Sequence, residues 1–199
     1  MDDKTILYYN HNATEYVKST VNADMSNQYS AFLKYLSPGA FILDLGCGSG
    51  RDSRYFIEQG YRVEAVDGSP ELCIIASEYI KQPVRNLMFQ DLDYTNIFDA
   101  VWACSTLLHL DRIALLSVMK KISIALKDDA ILYVSFKYGS HSGDRNGRFF
   151  LDLTENAFIE IVEQIKAFHV LDLSISNDVR PNRGDEKWLN ALLCNSYAR

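Results

Sequence analysis

The 199-residue chain is poor in the features that mark secreted, metal-binding or membrane-spanning proteins. It has four cysteines, Cys47, Cys73, Cys104 and Cys194. None forms a C-x-x-C pair and no histidine lies at metal-ligand spacing from them, so no metal site is expected and buried free thiols of a reducing compartment are. No run approaches the roughly 18 apolar residues that cross a bilayer, and the start Met1-Asp-Asp-Lys-Thr has no apolar leader. A cytoplasmic protein with no membrane partner is expected. Positive charge is not in excess either: the formal net charge is -6. Neutralising a phosphate backbone needs lysine and arginine, so nucleic acid is not the expected partner. Repeats, low-complexity tracts and linkers are missing as well. What remains is 48% hydrophobic and 23% charged, the composition of one folded domain with a substantial core.

Residues 1–20 carry Tyr8, Tyr9, Asn10, His11 and Tyr16, a polar and aromatic set that does not read as a core strand. An appended segment lying over a pocket is expected there. Residues 22–36 place Met25, Tyr29, Phe32, Leu33 and Leu36 on one helical face, and Pro38-Gly39 breaks that helix. Strands and helices then alternate. Strands are expected at 40–45, 61–66, 84–89, 98–103 and 130–136. Helices are expected at 51–59, stopped by Gly60, at 70–81 behind the cap Ser69-Pro70, and at 111–127 and 154–167 behind Asp111 and Thr154. Such alternation predicts an α/β fold: a mostly parallel sheet with helices on both faces. The ending breaks the rhythm, because 168–176 and 187–195 are separated only by the polar turn 177–186. They form a hairpin, so the last strand runs antiparallel.

The first strand runs into Gly46-Cys-Gly-Ser-Gly50. Glycines between a strand and a helix let backbone approach a ligand, and the helix behind offers free N–H groups. The spacing is G-x-G-x-G and lacks the third glycine of the dinucleotide fingerprint. Asp44 precedes the loop. A carboxylate there is badly placed for a pyrophosphate and well placed for a cofactor with cationic groups. Asp67 follows about 20 residues on, at the end of the second strand, where an acid accepts from ribose hydroxyls. The competing reading of Asp67 is a solvated strand end.

These residues resemble the core of the class I S-adenosylmethionine-dependent methyltransferases. "LDLGCGSG" is similar to their first motif, "VEAVDGSPEL" to the second, "FQDLDY" to the third and "FDAVWACSTLLHL" to the fourth. The resemblance implies a Rossmann-like, seven-stranded sheet with an inserted antiparallel last strand. It implies one methyltransferase domain over 1–199, with 1–36 as a lid and 40–199 as the core. It also implies S-adenosylmethionine as cofactor. Asp44, Gly46 and Gly48 would face its methionine part, and Asp67 its ribose, with Gly68 and Ser69 beside the adenine. Asp91 and the Leu92 backbone would meet the adenine edge, Cys104 would lie beneath the cofactor, and Tyr16 would touch it. Arg51 is similar to a position in the tellurite-resistance-like branch of small-molecule enzymes; otherwise it is a solvent-facing helix arginine.

Ligands of parallel sheets bind outside the carboxyl ends of the strands. Three segments are expected to converge there: 105–109, the glycine-rich loop 137–148, whose length without secondary structure points to a functional loop, and the turn with Asp178, Arg180 and Arg183. With His109, His141, Arg145 and Arg148 they suggest a basic mouth for a small polar or anionic acceptor. The alternative for these arginines is solvated loop charge. His109, Arg145 and Arg148 are the catalytic candidates, His109 as general base or as a structural histidine. Tyr8, Tyr9, His11 and Tyr16 would pack as core or close over the top. A fourth motif ending Cys104-Ser105-Thr106-Leu107 departs from the Asn/Asp-Pro-Pro-Tyr type that flanks a flipped base. Two other functions remain open: a catalytically silent cofactor- or partner-binding module, and, less favoured by the loop spacing, an NAD-dependent oxidoreductase.

Overall fold

A computed structural model describes residues 3–180 and 183–196. Residues 181–182 of the turn 177–186 lie outside the described residues. The helices are α1 (Asp3–Thr20), α2 (Ser26–Leu33), α3 (Arg51–Glu58), α4 (Pro70–Ile80), α5 (Arg112–Ala125) and α6 (Glu155–Ile165). The strands are β1 (Phe41–Leu45), β2 (Arg62–Asp67), β3 (Arg85–Asn86), β4 (Phe98–Ala103), β5 (Leu126–Lys137), β6 (Ser142–Arg145), β7 (Arg148–Leu151), β8 (Phe168–Asn177) and β9 (Lys187–Asn195).

Seven strands form one sheet in the order β3-β2-β1-β4-β5-β9-β8. The first five in that order pair in parallel. β9 is antiparallel to both β5 and β8, so the last strand is inserted between them. The chain winds outward from β1 in one direction through β2 and β3, and from β4 in the other. The crevice at the ends of β1 and β4 is therefore the switch point where open α/β sheets take ligands.

Strand periodicity assigns each β1 side chain to a layer. Leu43 and Leu45 face a core with Leu115, Met119, Ile122, Phe158 and Ile161, which α5 and α6 supply. Ile42 faces the opposite core with Tyr29, Phe32, Phe56 and Trp102 beneath α2 and α3. Asp44 shares that second face, and its neighbours in register are Ala65 and Trp102. The caps form as their residue types predict: Ser69, Asp111 and Thr154 each accept from the N–H three residues on.

Three local expectations change. The strand expected at 84–89 shrinks to Arg85–Asn86, because Leu87 and Phe89 turn into the core and a 3-10 turn follows. The stretch 137–148 is not an irregular loop. It contains β6 and begins β7, a two-stranded hairpin turning at Asn146-Gly147 with φ of 53° and 78°. Two central residues with positive φ match the twist of the flanking strands. Residues 1–20 form a continuous helix whose inner face carries Thr5, Tyr9, Ala13, Tyr16 and Thr20. Among the described residues no helix is long and apolar enough to cross a membrane.

Candidate functional site

The glycine loop is shaped by left-handed backbone at Gly46, Gly48 and Gly50, with φ of 79°, 56° and 77°. A Cβ on Gly46 would lie 2.0 Å from Thr106 Oγ1, so no larger residue fits. One on Gly48 would meet the Tyr16 ring at 3.1 Å. Asp67 closes the loop from the β2 end. Its carboxylate accepts from Gly48 N at 2.9 Å and Ser69 N at 2.8 Å, and the Gly68 amide also contributes. Burial raises the Asp67 carboxyl above its ordinary value, and these amides oppose that shift. Ser69 Oγ donates to Asn10 Oδ1 at 2.6 Å and so ties α4 to α1.

Asp44 is buried and accepts from Ser53 Oγ at 2.5 Å. Burial, reinforced by the charge of Asp52, pushes its carboxyl up to about 8. The next layer centres on Asp52, which the sequence reading passed over. Arg51 Nε and Nη2 donate to the two Asp52 oxygens at 2.6 and 2.9 Å. Tyr29 Oη donates to one of them at 2.5 Å, and Trp102 Nε1 to the other at 2.9 Å. Arg51 is thus a largely buried, fixed cation rather than a solvent-facing helix residue, with Nη1 3.4 Å from the Thr20 carbonyl oxygen. Nothing in the spacing of Asp52 marked it. The signal was available only as an acid beside an arginine at the start of a helix.

Two cavities meet above this floor. A cleft of about 30 Å³ runs along Gly46, Gly48, Asp67, Leu72 and Phe89, roofed by Ile6, Tyr9 and Tyr16 of α1. A larger cavity of about 120 Å³ reaches from Cys47, Arg51 and Cys104 out to Phe150 and Trp188. Tyr9, Tyr16, Gly46, Ser105 and His109 line both. Cys104 is half-buried against Arg51 and Ser135, and burial pushes its thiol up to about 11. Asp91 is exposed, and neither it nor Leu92 reaches the wall of either cavity. Leu92 packs in the α5-side core, where its carbonyl accepts from Lys121 Nζ.

The larger cavity has five cationic side chains and two carboxylates in its wall, on a chain that is acidic overall. Most of those cations are committed. Arg180 forks onto Asp178, which also accepts from Trp188 Nε1, and the ion pair holds the Asp178 carboxyl down to about 2. Lys137 and Arg183 both pair with Glu186. Arg148 differs. Its guanidinium lies 4.2 Å over the Tyr8 ring and 5.1 Å over Phe150, with Nη1 3.4 Å from Tyr9 Oη. Among the described residues no carboxylate lies within ion-pair distance of it, and its Nε is buried without a hydrogen-bond partner. Arg145 is not in the cavity. It pairs with Asp152 at 2.7 Å behind Phe150. His141 is exposed on the same outer side, and His11 bonds the Leu7 carbonyl away from the site.

His109 is buried at the junction of the cavities. Its Nδ1 lies 2.7 Å from the Phe149 carbonyl oxygen, and its Nε2 lies 2.8 Å from Tyr9 Oη. Among the described residues no group of three or more histidine, cysteine or acidic side chains is gathered as a metal ligand set.

Residues 42–129 match a family described as a methyltransferase domain. A 66-residue stretch is 39% identical to the cypemycin N-terminal methyltransferase of a Streptomyces species, covering 32% of this chain and 27% of that protein. The chain therefore matches well under half the length of this curated relative. Among solved structures, the 1,6-didemethyltoxoflavin-N1-methyltransferase of Burkholderia thailandensis superposes with a TM-score of 0.76 at 23% identity. It covers 96% of this chain and 85% of its own, and holds 1,6-didemethyltoxoflavin and S-adenosylhomocysteine. The N-methyltransferase NodS of Bradyrhizobium japonicum, in complex with S-adenosylhomocysteine, superposes with a TM-score of 0.73 at 14% identity over 98% of this chain and all of its own. At these identities the likeness establishes the shared fold.

Proposed function

We infer that this chain is a class I S-adenosylmethionine-dependent methyltransferase whose acceptor is a small, polar or anionic molecule. The observation that carries the reading is the meeting of two cavities at the sheet's switch point, one along the glycine loop and one with an uncompensated arginine. The match over residues 42–129 supports the reaction class. In this reading residues 1–36 cap a core formed by 40–199.

The residues present fit the cofactor. Gly46 and Gly48 give a backbone surface that a side chain would obstruct. Asp67 offers a buried carboxylate for two ribose hydroxyls, and Gly68 and Ser69 flank it. Asp44 and the Arg51–Asp52 pair lie along the methionine part, with Cys104 below and Tyr16 above. When bound, S-adenosylmethionine supplies a methyl carbon whose bond to sulfur breaks, its electron pair staying on sulfur, as the acceptor's lone pair makes the new bond. The protein's share is alignment and exclusion of water. The cleft of about 30 Å³ holds roughly two waters. Ile6, Tyr9 and Tyr16 of α1 roof it, so α1 is the element placed to close over a bound nucleoside.

Arg148 is the group we assign to the acceptor's negative charge, since it faces the cavity without a carboxylate of its own. Arg145 loses that role to its pair with Asp152. Calorimetry with S-adenosylhomocysteine and NAD tests the class: binding of the first and silence toward the second is expected, and the reverse would overturn it. Methyl transfer from labelled S-adenosylmethionine to a metabolite panel separates an enzyme from a silent binding module.

A further inference from the structure

We propose that Tyr9 of α1 and His109 form a proton-accepting pair. In this pair Tyr9 touches the acceptor and His109 stores the proton, so the acceptor carries its nucleophile as O–H or N–H beside an anionic group. The proposal rests on the methyltransferase reading above and names the acceptor chemistry for that same site.

The geometry decides which atom does what. A carbonyl oxygen only accepts, so the Phe149 carbonyl 2.7 Å from His109 Nδ1 places a proton on that nitrogen. In the neutral ring Nε2 is then a lone-pair acceptor, and the Tyr9 hydroxyl 2.8 Å away donates to it. One lone pair of the hydroxyl oxygen accepts from Arg148 Nη1, 3.4 Å away, and the other is left for the acceptor. His109 also lines the cavities, but the Phe149 carbonyl engages its Nδ1 and the Tyr9 hydroxyl its Nε2, so a proton reaches the ring through Tyr9 Oη. A proton leaving the acceptor's O–H or N–H goes to Tyr9 Oη as the Tyr9 proton goes to His109 Nε2. The imidazolium then holds both protons, one to Phe149 and one to Tyr9, and returns the extra one to water after product leaves. No oxidant or reductant takes part. Imidazole is the side chain whose ordinary pKa suits this exchange near neutrality.

Position supports the role. Tyr9 and His109 line both cavities, at the point where a group would pass from one to the other. The charged and titratable groups facing Tyr9 include Arg148 on β7, Asp67 at the end of β2, and Tyr8 and Tyr16 on α1. Arg148 is the cation that opposes a charge on His109. An acceptor anion bound to Arg148 cancels that opposition, which is why an anion and an ionisable nucleophile belong on the same molecule. A tertiary amine or thioether acceptor would have no use for the pair.

The probe is 4-hydroxy-3-nitrobenzoate, a carboxylated phenol whose phenolate absorbs in the visible where the phenol does not. It is titrated with the whole chain saturated with S-adenosylhomocysteine, at a pH below the probe's own pKa. The expected result is binding with the phenol ionised, an apparent pKa lower by about one unit or more, which is about tenfold more phenolate. Tyr9→Phe keeps the ring packing and His109→Asn keeps a donor for Phe149. Both should bind the probe and leave it protonated, while Arg148 still stands in each. A wild-type complex that binds the probe as phenol overturns the proposal, as does a phenolate shift that survives both substitutions. Failure to bind the probe, with S-adenosylhomocysteine still bound, overturns instead the anionic-acceptor reading. Failure to bind S-adenosylhomocysteine overturns the cofactor reading.

Discussion

The glycine-loop end and the hairpin end of the joined cavities are built on opposite plans. The first is backbone: left-handed glycines, and amides that hold Asp67, all drawn from residues 44–69. The second is side chains brought from α1, from β7 and from the turn after β8, with α1 more than a hundred residues from the other two in the chain. A site made of contiguous backbone tolerates little substitution and changes little with its ligand's decoration. A site made of converging side chains sets specificity and shifts with each of its contributors.

The strongest challenge to that division is Asp52, which serves both ends through Arg51, Tyr29 and Trp102. Asp52→Ala strands a largely buried guanidinium and leaves Tyr29 and Trp102 without their acceptor, and should cost about 3–5 kcal/mol in urea unfolding. A loss below about 1 kcal/mol would mean that the two ends do not share this anchor. Gly46→Ala tests the backbone end alone. Its Cβ overlaps Thr106, so S-adenosylhomocysteine affinity should fall by about 100-fold, measured by calorimetry. Arg148→Ala is the counterpart at the other end. It should weaken 4-hydroxy-3-nitrobenzoate binding by about 10- to 100-fold, the worth of a charge-assisted hydrogen bond, and leave S-adenosylhomocysteine affinity within about twofold.

Asp44 gives a pH signature confined to the glycine-loop end. Its folded carboxyl is raised to about 8, above its unfolded value. Native protein therefore keeps a proton that unfolded protein has lost, so ligand-free stability should fall as pH rises from about 4 to 8. A cationic cofactor ionises the group, so S-adenosylmethionine binding at pH 7 should release a proton and tighten with pH by at most about tenfold per unit. Calorimetry in buffers of different ionisation enthalpy reads that proton directly. The smallest effect belongs to Arg145→Ala, which should change probe binding by less than about twofold because Asp152 already holds the charge. A large effect there would return Arg145 to the acceptor site.

The two ends also differ in how far they could be read from sequence. The loop, Asp44 and Asp67 follow one another in a βαβ unit, so local spacing sufficed to bring them together. The inserted last strand followed from two strands joined by a polar turn. The helix α1 is harder to read, because its inward-facing stripe of Thr5, Tyr9, Ala13, Tyr16 and Thr20 has helical spacing but little hydrophobic contrast. The β6–β7 hairpin carries a legible sign, Asn146-Gly147 between two arginines, but its short first strand is polar and glycine-containing and resembles a loop. Which arginine is neutralised was not legible at all. Arg145 and Arg148 lie three residues apart and are cross-strand partners, yet only folding sets Asp152 against one and tyrosine rings against the other.

The chain holds two tryptophans, and both report on this region. Trp188 lines the larger cavity, and Trp102 donates to the Asp52 that carries Arg51. The protein is therefore its own optical sensor. Emission from Trp188 should follow whatever enters the hairpin end. A Trp188→Phe variant leaves Trp102 as a single buried fluorophore that responds only when the Arg51–Asp52 pair is disturbed, so ligands at the two ends can be told apart without a label.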